Sequence, residues 1–72
     1  MDYNYSKLLG KITEMFSTQM AFSSAMGISE RSLSLKLNNR VGFKQMEIIN
    51  ACTLLSIPEN EISQYFFDVK VH

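Results

Sequence analysis

Seventy-two residues make one small domain with room for one modest core. Hydrophobic residues make up 46% of the chain and charged residues 19%, which excludes a disordered tail. Seven basic residues balance seven acidic ones, and a formal net charge of zero argues against a strong non-specific nucleic-acid binder.

Other function classes fall away on residue types. Cys52 is the single cysteine, so no internal disulfide forms and a reducing compartment is expected. The start, Met-Asp-Tyr-Asn-Tyr, has no charged-then-apolar leader, and no apolar run approaches about twenty residues. Neither secretion nor a membrane span is expected. His72 is the one histidine, and Cys52 falls on an apolar helix face, so the chain offers no nucleophile–base pair. Soft ligands are too few for a metal, and no Gly-rich loop is present to cradle phosphate. The reading is a non-enzyme without cofactor or metal, with Cys52 as a core thiol.

The first helix is expected over Tyr3 to Phe16, with Ser6 as a cap. Tyr5, Leu8, Leu9, Ile12, Met15 and Phe16 recur at the spacing of one apolar face. Lys7, Lys11 and Glu14 point outward, and Gly10 reads as a place of close helix packing. Ser17 and Thr18 are a break, with Thr18 capping a second helix from Gln19 to Met26. Phe22 and Met26, four apart, face the core together. Gly27 follows where the chain needs a positive φ, and Ser29 sits where a third helix needs its N-cap. That helix, Glu30 to Leu37 or Asn38, turns Leu33 and Leu37 inward. It leaves Glu30, Arg31, Ser34 and Leu35 outward, with Ser32 and Lys36 at the margins.

Asn38-Asn39-Arg40-Val41-Gly42 is a turn-rich loop, and Phe43 is expected to anchor its end. A fourth helix over Lys44 to Leu55 is apolar around much of its girth, with Met46, Ile49 and Cys52 as one stripe and Ile48, Cys52 and Leu55 as another. A fifth starts at Pro58, runs to Tyr65, and places Glu59 and Glu61 near its positive end. Ile62, Tyr65 and Phe66 pack inward. The tail, residues 67–72, is open to two readings, a frayed end or an edge strand.

Charge is segregated along the chain. Arg31, Lys36, Arg40 and Lys44 have no acid among them, while Glu47, Glu59, Glu61 and Asp68 have no base among them. The basic block falls on the third helix and the loop after it.

The stretch Gln19 to Asn38, with Gly27 eight residues after Gln19, resembles the helix-turn-helix of the lambda repressor and Cro superfamily. In that family the position of Ser23 is small, because the two motif helices touch there. The late apolar position of the second motif helix is here Lys36, a departure from the pattern. The phrases Leu-Ser-Leu-Lys-Leu-Asn-Asn, Val-Gly-Phe-Lys-Gln and Tyr-Phe-Phe sharpen the likeness. They resemble the small lytic-switch proteins of temperate phages called modulator of repression, themselves Cro-like.

The resemblance implies an all-α, five-helix, lambda-repressor-like domain over residues 1–72, in the cytoplasm of a bacterial host. It implies a regulator of the lysis–lysogeny switch that acts by contact with the cognate phage repressor, alone or jointly with DNA. A stand-alone Cro-like protein binding operator DNA as a dimer is the alternative. By position in the motif, contacts fall on Gln19, Ser29, Arg31, Ser32, Ser34 and Lys36, with Asn39, Arg40 and Lys44 reaching phosphates. Glu30 and Leu35 fit a protein partner better than DNA, since a carboxylate is repelled by phosphate and an aliphatic side chain reads little but a thymine methyl.

Overall fold

The computed structural model describes residues 2–71. Five α-helices form in the expected order: α1 (Ser6–Phe16), α2 (Gln19–Met26), α3 (Glu30–Leu37), α4 (Gln45–Leu55) and α5 (Ile62–Phe66). A single 3-10 turn, Glu59–Glu61, leads into α5, with Pro58 just before it. The fifth helical segment is thus shorter than the Pro58 to Tyr65 read from sequence.

Most helix starts follow from local side chains. The Thr18 hydroxyl accepts from the Ala21 N–H at 3.1 Å, and the Ser29 hydroxyl from the Ser32 N–H at 3.0 Å. At α1 the cap is not Ser6. Asn4 Oδ1 accepts from the Ser6 N–H at 2.9 Å, and the helix starts three residues later than expected. At α4, Lys44 is the residue before the helix, and its N–H donates to Glu47 Oε1 at 2.8 Å. Lysine has no acceptor to return the bond, so only half of a capping box exists. Gly27 ends α2 with φ +75°, the left-handed conformation that glycine adopts without steric cost.

The core gathers one stripe from each helix. Leu8 and Ile12 of α1, Phe22 of α2, Leu33 of α3, Leu55 of α4 and Phe66 of α5 are the large side chains fully withdrawn from water. α2 packs on α1, α3 and α4, while α5 packs on α1. Ser23 is buried on α2, as the close approach of α3 requires, and its hydroxyl donates to the Met20 carbonyl at 2.8 Å. A run of aromatic rings then links the chain ends to the loop after α3: Phe67 on Tyr3, Tyr3 near Tyr5, Tyr5 on Phe43, and Phe43 on Phe66. Three of these pairs are edge-to-face, the geometry the ring quadrupoles favour. Phe43 anchors the loop as expected.

Some apolar periodicity was misleading. Met15, placed on the core face of α1, is exposed. On α4 the Met46–Ile49 stripe is also exposed, and burial follows Ala51, Cys52 and Leu55. Two overlapping stripes cannot both face one small core, and the one backed by α2 wins. Gly10 has no heavy atom within 4 Å of where a Cβ would lie, so it serves no close packing. Gly10→Ala is therefore expected to stabilise the protein by about 0.5–1 kcal/mol, read as a raised thermal midpoint.

The tail is neither fully frayed nor a regular strand. Val69 forms an isolated antiparallel bridge with Tyr3, flanked by Asn4 N–H to Asp68 O at 2.6 Å and Lys70 N–H to Asp2 O at 3.0 Å. The part of the tail at His72 lies outside the described residues.

Candidate functional site

The candidate contact residues fall on α2, the turn Gly27–Ser29, α3, the loop 38–44 that follows it and the lead into α4. Gln19 is exposed at the first turn of α2, and Ser29, Glu30 and Arg31 are exposed at the start of α3. Glu30 there lies at the positive end of the helix dipole, which gives it a structural reason to be acidic. Ser32 and Ser34 are half-buried. Ser34 receives the Asn38 amide on its carbonyl at 2.8 Å, which closes the end of α3. Leu35, expected to be the exposed leucine, is half-buried. It lines a shallow hollow with Ser34, Asn38 and Arg40. Arg40 and Lys44 are exposed.

Two of the sequence candidates have other work. Lys36 is 5% exposed, not at the helix margin. Its Nζ lies 3.0 Å from Glu47 Oε1 and donates to the Gly42 carbonyl at 3.3 Å. An ammonium in the core is tolerable only when so paired. This cation fills the late apolar position of α3 with its methylene stem and ties α3 to α4 with its head. It is not available to a phosphate or a partner.

Asn39, read as reaching phosphate, also has a structural role. It sits at φ +62°, and its side chain clasps Tyr3 twice: Tyr3 N–H to Asn39 Oδ1 at 2.8 Å, and Asn39 Nδ2 to Tyr3 O at 3.0 Å. Asn tolerates the left-handed conformation better than most residues, and its amide here completes the backbone pairing of the N-terminal segment.

These contacts reshape the electrostatics. The basic block of four residues loses Lys36 to Glu47, the first member of the acidic block. Burial alone would raise the Glu47 carboxyl. The Lys44 N–H and the Lys36 ammonium outweigh it, and the carboxyl is held below its ordinary range. Arg31, Arg40 and Lys44 remain, and none makes an ion pair among the described residues. On the same elements, large apolar side chains to which sequence reading assigned no binding role are exposed: Met20 at 62%, Val41 at 48% and Met46 at 63%. Their signal was adjacency, since Met20 follows Gln19, Val41 follows Arg40, and Met46 lies two beyond Lys44.

The remaining chemistry is sparse. Burial pushes the Cys52 thiol up, which makes it a poor nucleophile. Among the described residues no three His, Cys, Asp or Glu side chains gather where a metal could bind, and no helix is long and apolar enough to cross a membrane. What the surface can do is bind: three cations, several hydroxyls and a set of exposed aliphatic and thioether side chains.

Comparison with known proteins gives this surface a context. No curated protein is matched by the sequence. Among solved structures, the chain is similar to the modulator of repression of the temperate bacteriophage TP901-1 from Lactococcus lactis. That likeness has 53% sequence identity, covers 100% of this chain and 97% of the other, and has a TM-score of 0.82. Residues 1–69 match a family described as protein of unknown function DUF739. A match over nearly the whole length, with the same all-helical fold in a relative more than half identical, means that the chain belongs to this DUF739 family.

Proposed function

We propose that this chain is a modulator of repression in the lysis–lysogeny switch of a temperate phage, acting by binding the phage repressor through its α2–turn–α3 surface. The observation that carries the reading is the full-length, 53% identical likeness to a modulator of repression. On this reading α2 and α3 are a helix-turn-helix of the lambda repressor and Cro type, turned toward a protein partner in the bacterial cytoplasm.

The make-up of the surface supports protein over DNA. Operator binding draws most of its affinity from phosphate neutralisation. Here the net charge is zero, Lys36 is spent on Glu47, and Asn39 is spent on Tyr3. Large apolar side chains on the same elements, Met20 on α2, Val41 in the loop after α3 and Met46 on α4, are exposed. Methionine and aliphatic side chains gain little at a phosphate backbone and much in a desolvated protein interface. Gln19, Ser29, Glu30, Arg31, Ser32, Ser34, Leu35, Arg40 and Lys44 remain as the polar and apolar members of the contact. Stand-alone operator binding as a dimer is the second reading, favoured by the lack of acids among Arg31, Arg40 and Lys44.

The test is a pair of titrations at near-physiological salt, against purified repressor and separately against switch-region DNA. A stable complex with repressor and none with DNA alone is the expected result. Tight, sequence-specific DNA binding that salt weakens steeply, without repressor, would make the protein Cro-like. Leu35→Ser is expected to weaken the repressor complex by about tenfold or more, as a truncated apolar anchor does, with the helical circular dichroism retained.

A further inference from the structure

The short pairing of the chain ends has one closed edge and one open edge. In the bridge between Tyr3 and Val69, the bonds run through Asp2, Asn4, Asp68 and Lys70. The N–H and C=O groups of Tyr3 and Val69 themselves therefore point away from each other. Those of Tyr3 are both taken by the Asn39 side chain. Those of Val69 have no partner among the described residues, and the side chain is exposed. One side of the ribbon is capped and the other presents a free donor and acceptor at its centre.

We infer that this open edge is where two copies of the chain associate, residues 68–70 of each pairing antiparallel about a twofold axis at Val69. The sequence is self-complementary in this register. Val69 exchanges both backbone bonds with Val69 of the second copy. Asp68 lies opposite Lys70 of the second copy, and Lys70 opposite Asp68, so the two charged pairs are both attractive. Val71, 96% exposed, falls at the flank near Phe67 of the second copy, which is half exposed. The product is a four-stranded antiparallel ribbon whose two outer edges are each closed by an Asn39 clasp. A parallel pairing at Val69 would set Asp68 against Asp68 and Lys70 against Lys70, and is disfavoured by both repulsions. The isologous arrangement needs no partner but a second copy.

The interface is small, so association is weak, with a dissociation constant of about 0.1–1 mM. Sedimentation equilibrium on the full chain from about 20 µM to about 2 mM reads it directly. Growth of a dimer across that range is expected, with a concentration-dependent shift of the Val69 amide resonance. Val69→Pro removes the outward donor and leaves the Asn4–Asp68 and Lys70–Asp2 bonds in place. It should weaken association by about tenfold or more at unchanged thermal midpoint. Asp68→Lys should weaken it by a similar factor, and the swap Asp68→Lys with Lys70→Asp should restore it, because the swapped charges again face their opposites. A monomer through about 2 mM, or a dimer indifferent both to Val69→Pro and to the charge swap, overturns the inference. These outcomes are independent of whether the α2–α3 surface binds a repressor.

Discussion

Glu47→Ala is expected to cost about 3 kcal/mol, more than its place near the surface suggests, because it strands the Lys36 ammonium in the core with only the Gly42 carbonyl. Lys36→Met is expected to cost about 1 kcal/mol, since Glu47 keeps the Lys44 N–H and reaches water more easily. The double variant Lys36→Met with Glu47→Ala should cost well under the sum of the two, because it leaves no unpaired charge in the core. Denaturant unfolding of the four proteins measures the coupling. If the two single costs simply add in the double variant, the pair is not coupled and Lys36 is held by its stem alone.

The same pair fixes an acid dependence. The Glu47 carboxyl is depressed in the folded state, so its contribution is fully present above the ordinary glutamate value of about 4.3 and is lost as pH falls through the folded value. The stability difference between the parent and Glu47→Gln should thus be flat from neutral pH to about pH 5 and shrink below about pH 4. A difference that instead grows toward acid would mean that the pair is not formed at neutral pH.

Phe22→Ala is the second large effect. Phe22 is 1% exposed on the helix that touches α1, α3 and α4, and its ring meets Phe16 edge-to-face at 5.2 Å. Truncation removes buried area and leaves a cavity, at a cost of about 3–5 kcal/mol. A 72-residue domain holds about 4–11 kcal/mol in total at 0.05–0.15 kcal/mol per residue. The thermal midpoint should therefore fall by about 15–30 °C. Phe22→Leu, which keeps most of the volume, should lose no more than about 1.5 kcal/mol. A Phe22→Ala protein that melted within a few degrees of the parent would mean that the four helices do not share one core. Repressor binding should fail in Phe22→Ala through loss of the folded fraction, and recover on cooling, which separates it from a contact variant such as Leu35→Ser.

Much of this molecule was legible before any coordinate. The helix order, the caps at Thr18 and Ser29, the turn at Gly27 and the inward pairs Leu33 and Leu37 are local matters. A hydroxyl that accepts from an N–H three residues on, or a glycine that takes positive φ, depends on nearest neighbours in the chain. The all-α class follows from the same periodicity.

What only the tertiary structure decided is which of several local options finds a partner across the fold. Two apolar stripes ran along α4, and α2 covered one of them, leaving Met46 and Ile49 in water. Lys36 read as a surface cation because lysine almost always is one. Glu47, eleven residues on and across a loop, withdrew it into the core and took it from the binding surface. Asn39 read as a reach toward phosphate, until Tyr3 at the far end of the chain claimed both ends of its amide. Periodicity names the side chains able to face inward. It cannot say where a buried charge or an open backbone edge is answered, because those energies depend on residues brought together only by folding.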